Sequence, residues 1–265
     1  HSARGLEGLA LTEAMKAQGL DAFDALSAAR SPRSLHAFIE LHIEQGPVLD
    51  QEEIPIGVVS GICGLRRWEV RLSGLANHAG TTPMSMRADA FQGLAEFAGQ
   101  IDRVLEEHGT DLSVATIGRV ELFPGAANVV PGGARFALEF RDIDDAALHD
   151  LSDAFRRTLS AIARRRDLMF EFELLSDIKP VACDQRLQQI IQKHAQSMGY
   201  GTRTLPSGAA HDTQKMAHLT KAGMVFVPSK QGRSHSPSEW TAWDDIEAGA
   251  NVLLNTLYQL ASEEA

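Results

Sequence analysis

The chain of 265 residues predicts an α/β domain interrupted by an inserted α+β domain of ferredoxin-like, βαββαβ order. Toward both ends, segments of helical periodicity alternate with short apolar runs, the pattern of a layered α/β domain. Between Arg66 and Ile178 the periodicity changes to strand, helix, strand, strand, helix, strand, which builds an antiparallel sheet covered on one face by two helices. The length suffices for two modest cores, and no internal repeat or low-complexity linker separates them. The boundaries follow: 1–64 for the first part of the α/β domain, 65–179 for the insert and 180–265 for the second part.

Leu9 to Gln18 reads as a helix stopped by Gly19, and Asp21 to Arg30 as a second short helical stretch. The chain starts at His1 and opens without a strand-rich segment, like the middle of a domain. A processed, tagged or truncated start is the expectation. Phe38 to Ile43 alternates as a strand that brings His42 to its end, where Gly46-Pro47 closes it. In the insert, Trp68–Leu72 alternates as a strand, and Met86 to His108 has helical spacing with Gly109 as its cap. Leu112 to Phe123 and Ala134 to Asp142 are strands joined by a turn rich in Gly and Pro. Asp145 to Arg166 is an amphipathic helix with Leu148, Leu151, Phe155, Leu159 and Ile162 on one face, and Met169–Leu174 closes with alternation. Beyond the insert, Leu187 to Met198 and Asp212 to Ala222 read as helices closed by glycine. Met224–Val227 reads as a buried parallel strand, and Asp244 to Ala261 as a final helix packed on the sheet.

A net charge of −10 and the lack of a polybasic stretch exclude nucleic acid as a partner. The densest basic run, Arg164-Arg-Arg166, sits at a helix end, where it complements the dipole. Two cysteines, Cys63 and Cys183, are too few for a disulfide framework and point to a reducing compartment. No apolar stretch approaches the ~20 residues of a membrane span, and the start lacks a signal peptide. A soluble, cytoplasmic protein without membrane contact is the expectation.

Several residues have the chemistry of a site. His42 at a strand end and His235 in the loop Gly232-Arg-Ser-His-Ser-Pro-Ser-Glu239 are imidazoles from distant segments, as a catalytic zinc recruits. The alternatives are a half-buried strand histidine and a surface loop residue. Asn77-His-Ala-Gly-Thr-Thr-Pro-Met84 packs His78 and two hydroxyls into a glycine-bounded loop, where His78 could equally cap its own turn. Asn128, in Ala127-Asn-Val-Val-Pro131, offers an amide or serves the turn. Arg141, in Phe140-Arg-Asp142, suits a bidentate carboxylate clamp or pairs with Asp142 or Asp144. His211, in Ser207-Gly-Ala-Ala-His-Asp212, stands at a helix start that favours anions, with Asp212 as a possible plain N-cap.

Taken in order, these motifs and His42-Ile-Glu-Gln-Gly-Pro47 closely resemble the binuclear zinc amidohydrolases that include allantoate amidohydrolase, N-carbamoyl-L-amino-acid hydrolase and β-ureidopropionase. The resemblance spans nearly the whole chain. It implies a zinc-peptidase-like catalytic α/β domain and an insert that dimerises and completes the substrate site. It further implies two Zn2+ per complete active site, with Mn2+ or Co2+ able to substitute, and His42 and His235 as metal ligands. Gln45, His78, Asn128, Arg141 and His211 would hold a small carboxylate-bearing substrate. Arg141 and Asn128 would grip the carboxylate. His78 would act catalytically on the scissile carbonyl or its oxyanion, often in the neighbouring subunit of a homodimer. The reaction implied is attack of metal-activated water on a ureido or amide carbonyl.

The sequence departs from that pattern in one main respect. The family's upstream His-x-Asp motif, bridging Asp and Glu-Glu pair have no counterpart before His42, and Glu52-Glu53 lies after it in a loop context. Two protein ligands are fewer than the three usual for catalysis, so the expectation is a partial catalytic domain that binds metal poorly and is inactive alone. Ala210, where relatives commonly have glycine, is a smaller departure. The other readings are a non-catalytic carboxylate-binding and dimerisation module, and an aminoacylase-like or dipeptidase-like hydrolase.

Overall fold

The computed structural model describes residues 8–32 and 34–263; His1 lies outside them. Helix α1 (Leu11–Ala17) ends just before Gly19, whose positive φ of 72° suits a residue without a Cβ. The stretch expected over 21–30 forms only the single turn α2 (Asp24–Ser27). Strand β1 (Phe38–Ile43) stops where the Glu44 carboxylate turns forward onto the N–H groups of Val48 at 2.9 Å and Leu49 at 2.8 Å. That acidic cap starts α3 (Val48–Glu52), so Glu52 is helical where the sequence suggested a loop. Strands β2 (Ile56–Ile62) and β3 (Gly64–Ser73) follow almost without a break, and β4 is the two-residue bridge Asn77–His78.

The helix expected over 86–108 is two helices, α4 (Ala90–Ala98) and α5 (Ile101–His108). Asp89 caps α4 by accepting from Phe91 N and Gln92 N, and the break falls at Gly99-Gln100, where glycine's poor helix propensity removes the incentive to continue. Next come β5 (Val114–Phe123), the bridge β6 (Val129–Val130), β7 (Gly133–Asp142), α6 (Asp145–Arg165) and β8 (Met169–Ile178). After the short β9 (Val181–Ala182), the chain runs through α7 (Gln185–Ser197), β10 (Thr202–Ser207), α8 (Asp212–Met216), β11 (Ala222–Val227) and α9 (Trp243–Ser262). The helix expected over 212–222 is thus confined to its first half. Residues 217–221 instead turn back through the Leu219 and Thr220 N–H groups, both donating to Met216 O, and Ala222 starts β11 by pairing with Phe38.

A mixed sheet has the order β1-β11-β2-β10, with β9 beside β2. Strands β1 and β11 are parallel, as are β2 and β10, while β2 and β11 run antiparallel. One face packs Ile56, Val58, Val225 and Val227 against Ile191 of α7 and Val252 of α9. The opposite face sets Met224 and Phe226 against Leu49 of α3. A second sheet, β5-β7-β3-β8, is antiparallel throughout. Its core face carries Phe136 and Phe140 against Phe97 and Phe155 from the helices, and its open face carries ion pairs such as Arg119–Glu69 and Arg67–Glu139. Among the described residues no helix is long and apolar enough to cross a membrane. Both cysteines are buried free thiols.

The helices of this second layer are tied by Glu96 of α4, which pairs with Arg165 and Arg166 at the end of α6. Burial by itself would raise the Glu96 carboxyl, but hydrogen bonds and charge from the two arginines outweigh it and hold it below its ordinary 4.5. A depressed carboxylate pKa contributes stability that is present above 4.5 and lost as pH falls through the folded value. Urea unfolding should therefore show wild type more stable than Glu96→Gln at neutral pH, with the gap closing as pH drops below 4.5.

Candidate functional site

Period-two geometry divides β1 between two environments. Ile39, Leu41 and Ile43 join the core under α7 and α9, which leaves Glu40 and His42 side by side on the opposite face. There α8 begins. Thr213 donates to Glu40 Oε2 through its backbone N–H at 2.8 Å and its hydroxyl at 2.6 Å, so a strand carboxylate serves the orphan donors of a helix start. The other Glu40 oxygen faces His211 Nδ1 at 3.8 Å. The His42 and His211 rings meet edge to face with centroids 4.5 Å apart, above Phe226.

Each ring is oriented by a partner on its far side. His42 Nδ1 lies 2.8 Å from the Ile43 carbonyl oxygen; a carbonyl only accepts, so Nδ1 carries the proton and Nε2 keeps its lone pair. His211 Nε2 lies 2.7 Å from the buried Ser207 hydroxyl, which leaves Nδ1 toward Glu40. Burial, then the neighbouring His42, pushes the His211 pKa below its ordinary 6.5, against the pull of Glu40 and Asp212. Glu40, His42 and His211 offer ligand atoms within 4.8 Å of one another. One carboxylate and two imidazoles, each braced by an outer hydrogen bond, is a donor set that suits a divalent transition metal.

The sequence paired His42 with His235 as ligands and gave His211 to the substrate. The structure brings His211 against His42 and adds Glu40, a carboxylate that strand alternation with His42 already placed on the same face. Ser207 and Thr213 were also missed, since only the tertiary fold shows what a lone hydroxyl bonds. His235 is exposed, takes a left-handed φ of 55°, and stands outside the three-residue group. Its loop nevertheless docks on the end of β1. Gly232, at φ 65°, packs so closely that a Cβ would meet Pro47 N at 2.7 Å. Gln45, itself at φ 58°, donates from its backbone to Ser229 Oγ at 3.0 Å and from Nε2 to Ser234 Oγ at 3.1 Å. Glu239 gathers Ser234 Oγ at 2.8 Å and His235 N at 3.1 Å. These hydrogen bonds, with the imidazoles of His235 and His42 behind them, hold its carboxyl below 4.5.

Gln45 and Arg141 line a cleft of about 770 Å³ between the end of the mixed sheet and the start of β5. Arg141 pairs with Glu139, and with neither Asp142 nor Asp144: Nε and Nη2 reach Glu139 Oε1 at 2.9 and 2.6 Å, while Nη1 reaches the Gly208 carbonyl. A guanidinium has five N–H donors. With three engaged among the described residues, one N–H remains on each terminal nitrogen, enough to bind a carboxylate. Asp142 is wholly buried and pins the turn before β5, accepting from Thr110 Oγ1 and Ser113 Oγ.

His78 and Asn128 lie elsewhere. Arg141 pairs with Leu65 at one end of β3, and Gly133 with Ser73 at the other, a separation of about 27 Å at strand spacing. His78 and Asn128 stand beyond that far end, where His78 pairs with Val129 and Asn128 O accepts from Ala79 N. His78 Nδ1 accepts from Gly80 N at 3.1 Å. Within one chain, then, Asn128 and Arg141 do not form a common clamp.

A family model described as peptidase family M20/M25/M40 matches residues 9–259. The chain is 40% identical over 261 residues to an N-carbamoyl-L-amino acid amidohydrolase of Geobacillus stearothermophilus, covering 98% of this chain and 63% of that protein. It is 38% identical over 256 residues to allantoate amidohydrolase of Escherichia coli (strain K12), covering 96% and 61% respectively. Among solved structures it is similar to an amidase of the hydantoinase/carbamoylase family from Burkholderia multivorans, with a TM-score of 0.87 and 35% identity over 100% of this chain and 63% of that one. The chain spans about three-fifths of the length of these relatives.

The donor set makes a direct prediction. Calorimetric titration with Zn2+ should show one ion per chain at the three-residue group, lost in His42→Ala. Ser207→Ala should weaken binding by about 10–100-fold, the usual effect of removing a ligand's outer partner.

Proposed function

The chain belongs to peptidase family M20/M25/M40, and on that premise we propose that it serves metal-dependent hydrolysis of a linear ureido or amide C–N bond in a carboxylate-bearing substrate, an N-carbamoyl-L-amino acid or allantoate. The observation that carries this reading is the half-engaged Arg141 fork in a cleft beside the Glu40–His42–His211 group. Bound metal, zinc or in its place manganese or cobalt, would polarise the carbonyl and lower the pKa of water. His42, with Glu40 and His211, would hold it, and His235 would join from the docked loop. Arg141 would take the substrate carboxylate and Gln45 would help to orient it.

Residues 65–179 are read as an inserted dimerisation domain between catalytic segments 1–64 and 180–265. The distance between His78 and the rest of the site favours a homodimer: His78 and Asn128 would enter the partner's cleft, where His78 would stabilise charge on the scissile carbonyl. Among the described residues the outer edge of strand β5 is unpaired, and Val120 and Phe123 are 46% and 49% exposed along it, so pairing with a second copy through β5, α4 and α5 fits.

The test of activity compares the 265-residue chain with a longer form carrying the His-x-Asp and Glu-Glu motifs, both supplied with Zn2+, Mn2+ or Co2+. Ammonia or amino acid release from N-carbamoyl amino acids or allantoate should be lower for the chain alone by on the order of 10²–10⁴-fold, the scale of a lost general base. Robust turnover by the chain alone, abolished by His42→Ala, would show that other carboxylates supply the base.

Assembly gives a separate prediction. Light scattering at micromolar concentration should report twice the 28.8 kDa chain mass, and Val120→Lys on the β5 edge should shift it to monomer.

A further inference from the structure

We propose that the cleft beside Arg141 selects N-carbamoyl amino acids with a branched apolar or aromatic side chain, and that Val114 and Leu112 contact that side chain. The inference rests on the carboxylate-gripping role of Arg141 proposed above and adds the identity of the group attached next to the carboxylate.

Register carries it. Val114 of β5 is paired directly with Arg141 of β7. Directly opposed residues share a sheet face, with Cβ atoms about 4.5–5.5 Å apart. Arg141, Val114 and Leu112 line one cleft, so the substituent on the α-carbon of a carboxylate held by Arg141 has Val114 and Leu112 as apolar neighbours. Much of that face is ionic, with Arg67, Glu69, Glu139 and Arg141, and Leu65 beside Arg141 is nearly covered. Yet Val114 is 54% exposed and Leu112 is 45% exposed, both lining the cleft.

The facing wall has the same character. Val48, Leu205 and Pro206 line the same cleft, so the mixed sheet and the β5 side both contribute apolar groups to it. Arg203 also borders the cleft, but Glu52 occupies its Nη1 through both carboxylate oxygens, at 2.8 and 2.9 Å. The Cys63 thiol is pushed up to about 11, first by burial and then by Asp142, and so stays neutral. A second ureido group, as in allantoate, would lose water against Val114, Leu112 and these apolar groups with fewer hydrogen bonds in return. The hydrogen of N-carbamoylglycine would leave the wall uncovered. Pairing of the β5 edge with a second copy would engage outward backbone groups and leave Val114 on the face of Arg141.

Each methylene in an apolar pocket discriminates by about 10–200-fold. A cleft open on one side covers only part of the side chain, so a preference of about 10-fold, the worth of one methylene, is expected for a leucine side chain over glycine. The test is calorimetric binding of N-carbamoyl-L-leucine, N-carbamoylglycine and allantoate to the full 265-residue chain. The leucine compound should bind about 10-fold tighter than the other two. The double variant Val114→Ser, Leu112→Ser should bring the three within about threefold while leaving N-carbamoylglycine unchanged. Arg141→Met should weaken all three alike. Equal or weaker binding of the leucine compound, or a preference that survives the double serine variant, overturns the selectivity while the Arg141 dependence keeps the carboxylate reading standing. Failure of all three to bind, or binding indifferent to Arg141→Met, removes the carboxylate reading and the selectivity with it.

Discussion

The Glu40 carboxylate ties three elements together at one point: β1 carries it, the first turn of α8 donates twice to one of its oxygens, and His211 faces the other. Because α8 is only a short helix, it has few packing contacts of its own to fix its start, and an unsatisfied buried N–H there would cost about 1–3 kcal/mol. The position of His211, immediately before that turn, therefore depends on Glu40. The same carboxylate that starts the helix with one oxygen turns the other toward the donor set around His42. Ser207 completes the arrangement from behind, holding His211 Nε2 so that the ring's other nitrogen faces the group.

Arg141 plays the corresponding part between the two sheets. Its guanidinium leaves the open face of the antiparallel sheet and reaches the Gly208 carbonyl, three residues before His211. Glu139, which also accepts from Arg67, holds the Arg141 side chain in place. Burial alone would raise the Glu139 carboxyl, but Arg141 and Arg67 outweigh it and hold it below 4.5, so it remains a charged anchor. One arginine thus links the antiparallel sheet to the loop that presents His211. A ligand on its remaining N–H groups would be felt by both sheets, because the same side chain contacts both.

Much of the architecture was legible along the chain, since strands such as β7 alternate and α6 has a clean apolar stripe. The exceptions have local causes. The 86–108 segment kept its helical spacing across Gly99 but broke there, as backbone propensity overrode periodicity. The 212–222 segment is helical only to Met216, turns back over 217–221 and gives Ala222 to β11, where it pairs with Phe38. Glu44 built α3 by folding its carboxylate onto Val48 and Leu49, where the sequence had shown only a turn after His42.

The site divides along the same line. Sequence alone determined which chemistry was available: the imidazoles of His42, His78, His211 and His235, the Arg141 fork, and their order in motifs. Period-two alternation even set Glu40 beside His42, because that geometry is local to one strand. Only the tertiary structure decided partnership. It put His211 rather than His235 against His42, gave Glu40 to the start of α8, and set Asn128 and His78 at the far end of a sheet from Arg141. Those outcomes depend on strand register and helix placement between residues far apart in sequence, and no local pattern encodes them, because the distances are fixed by how the two sheets pack.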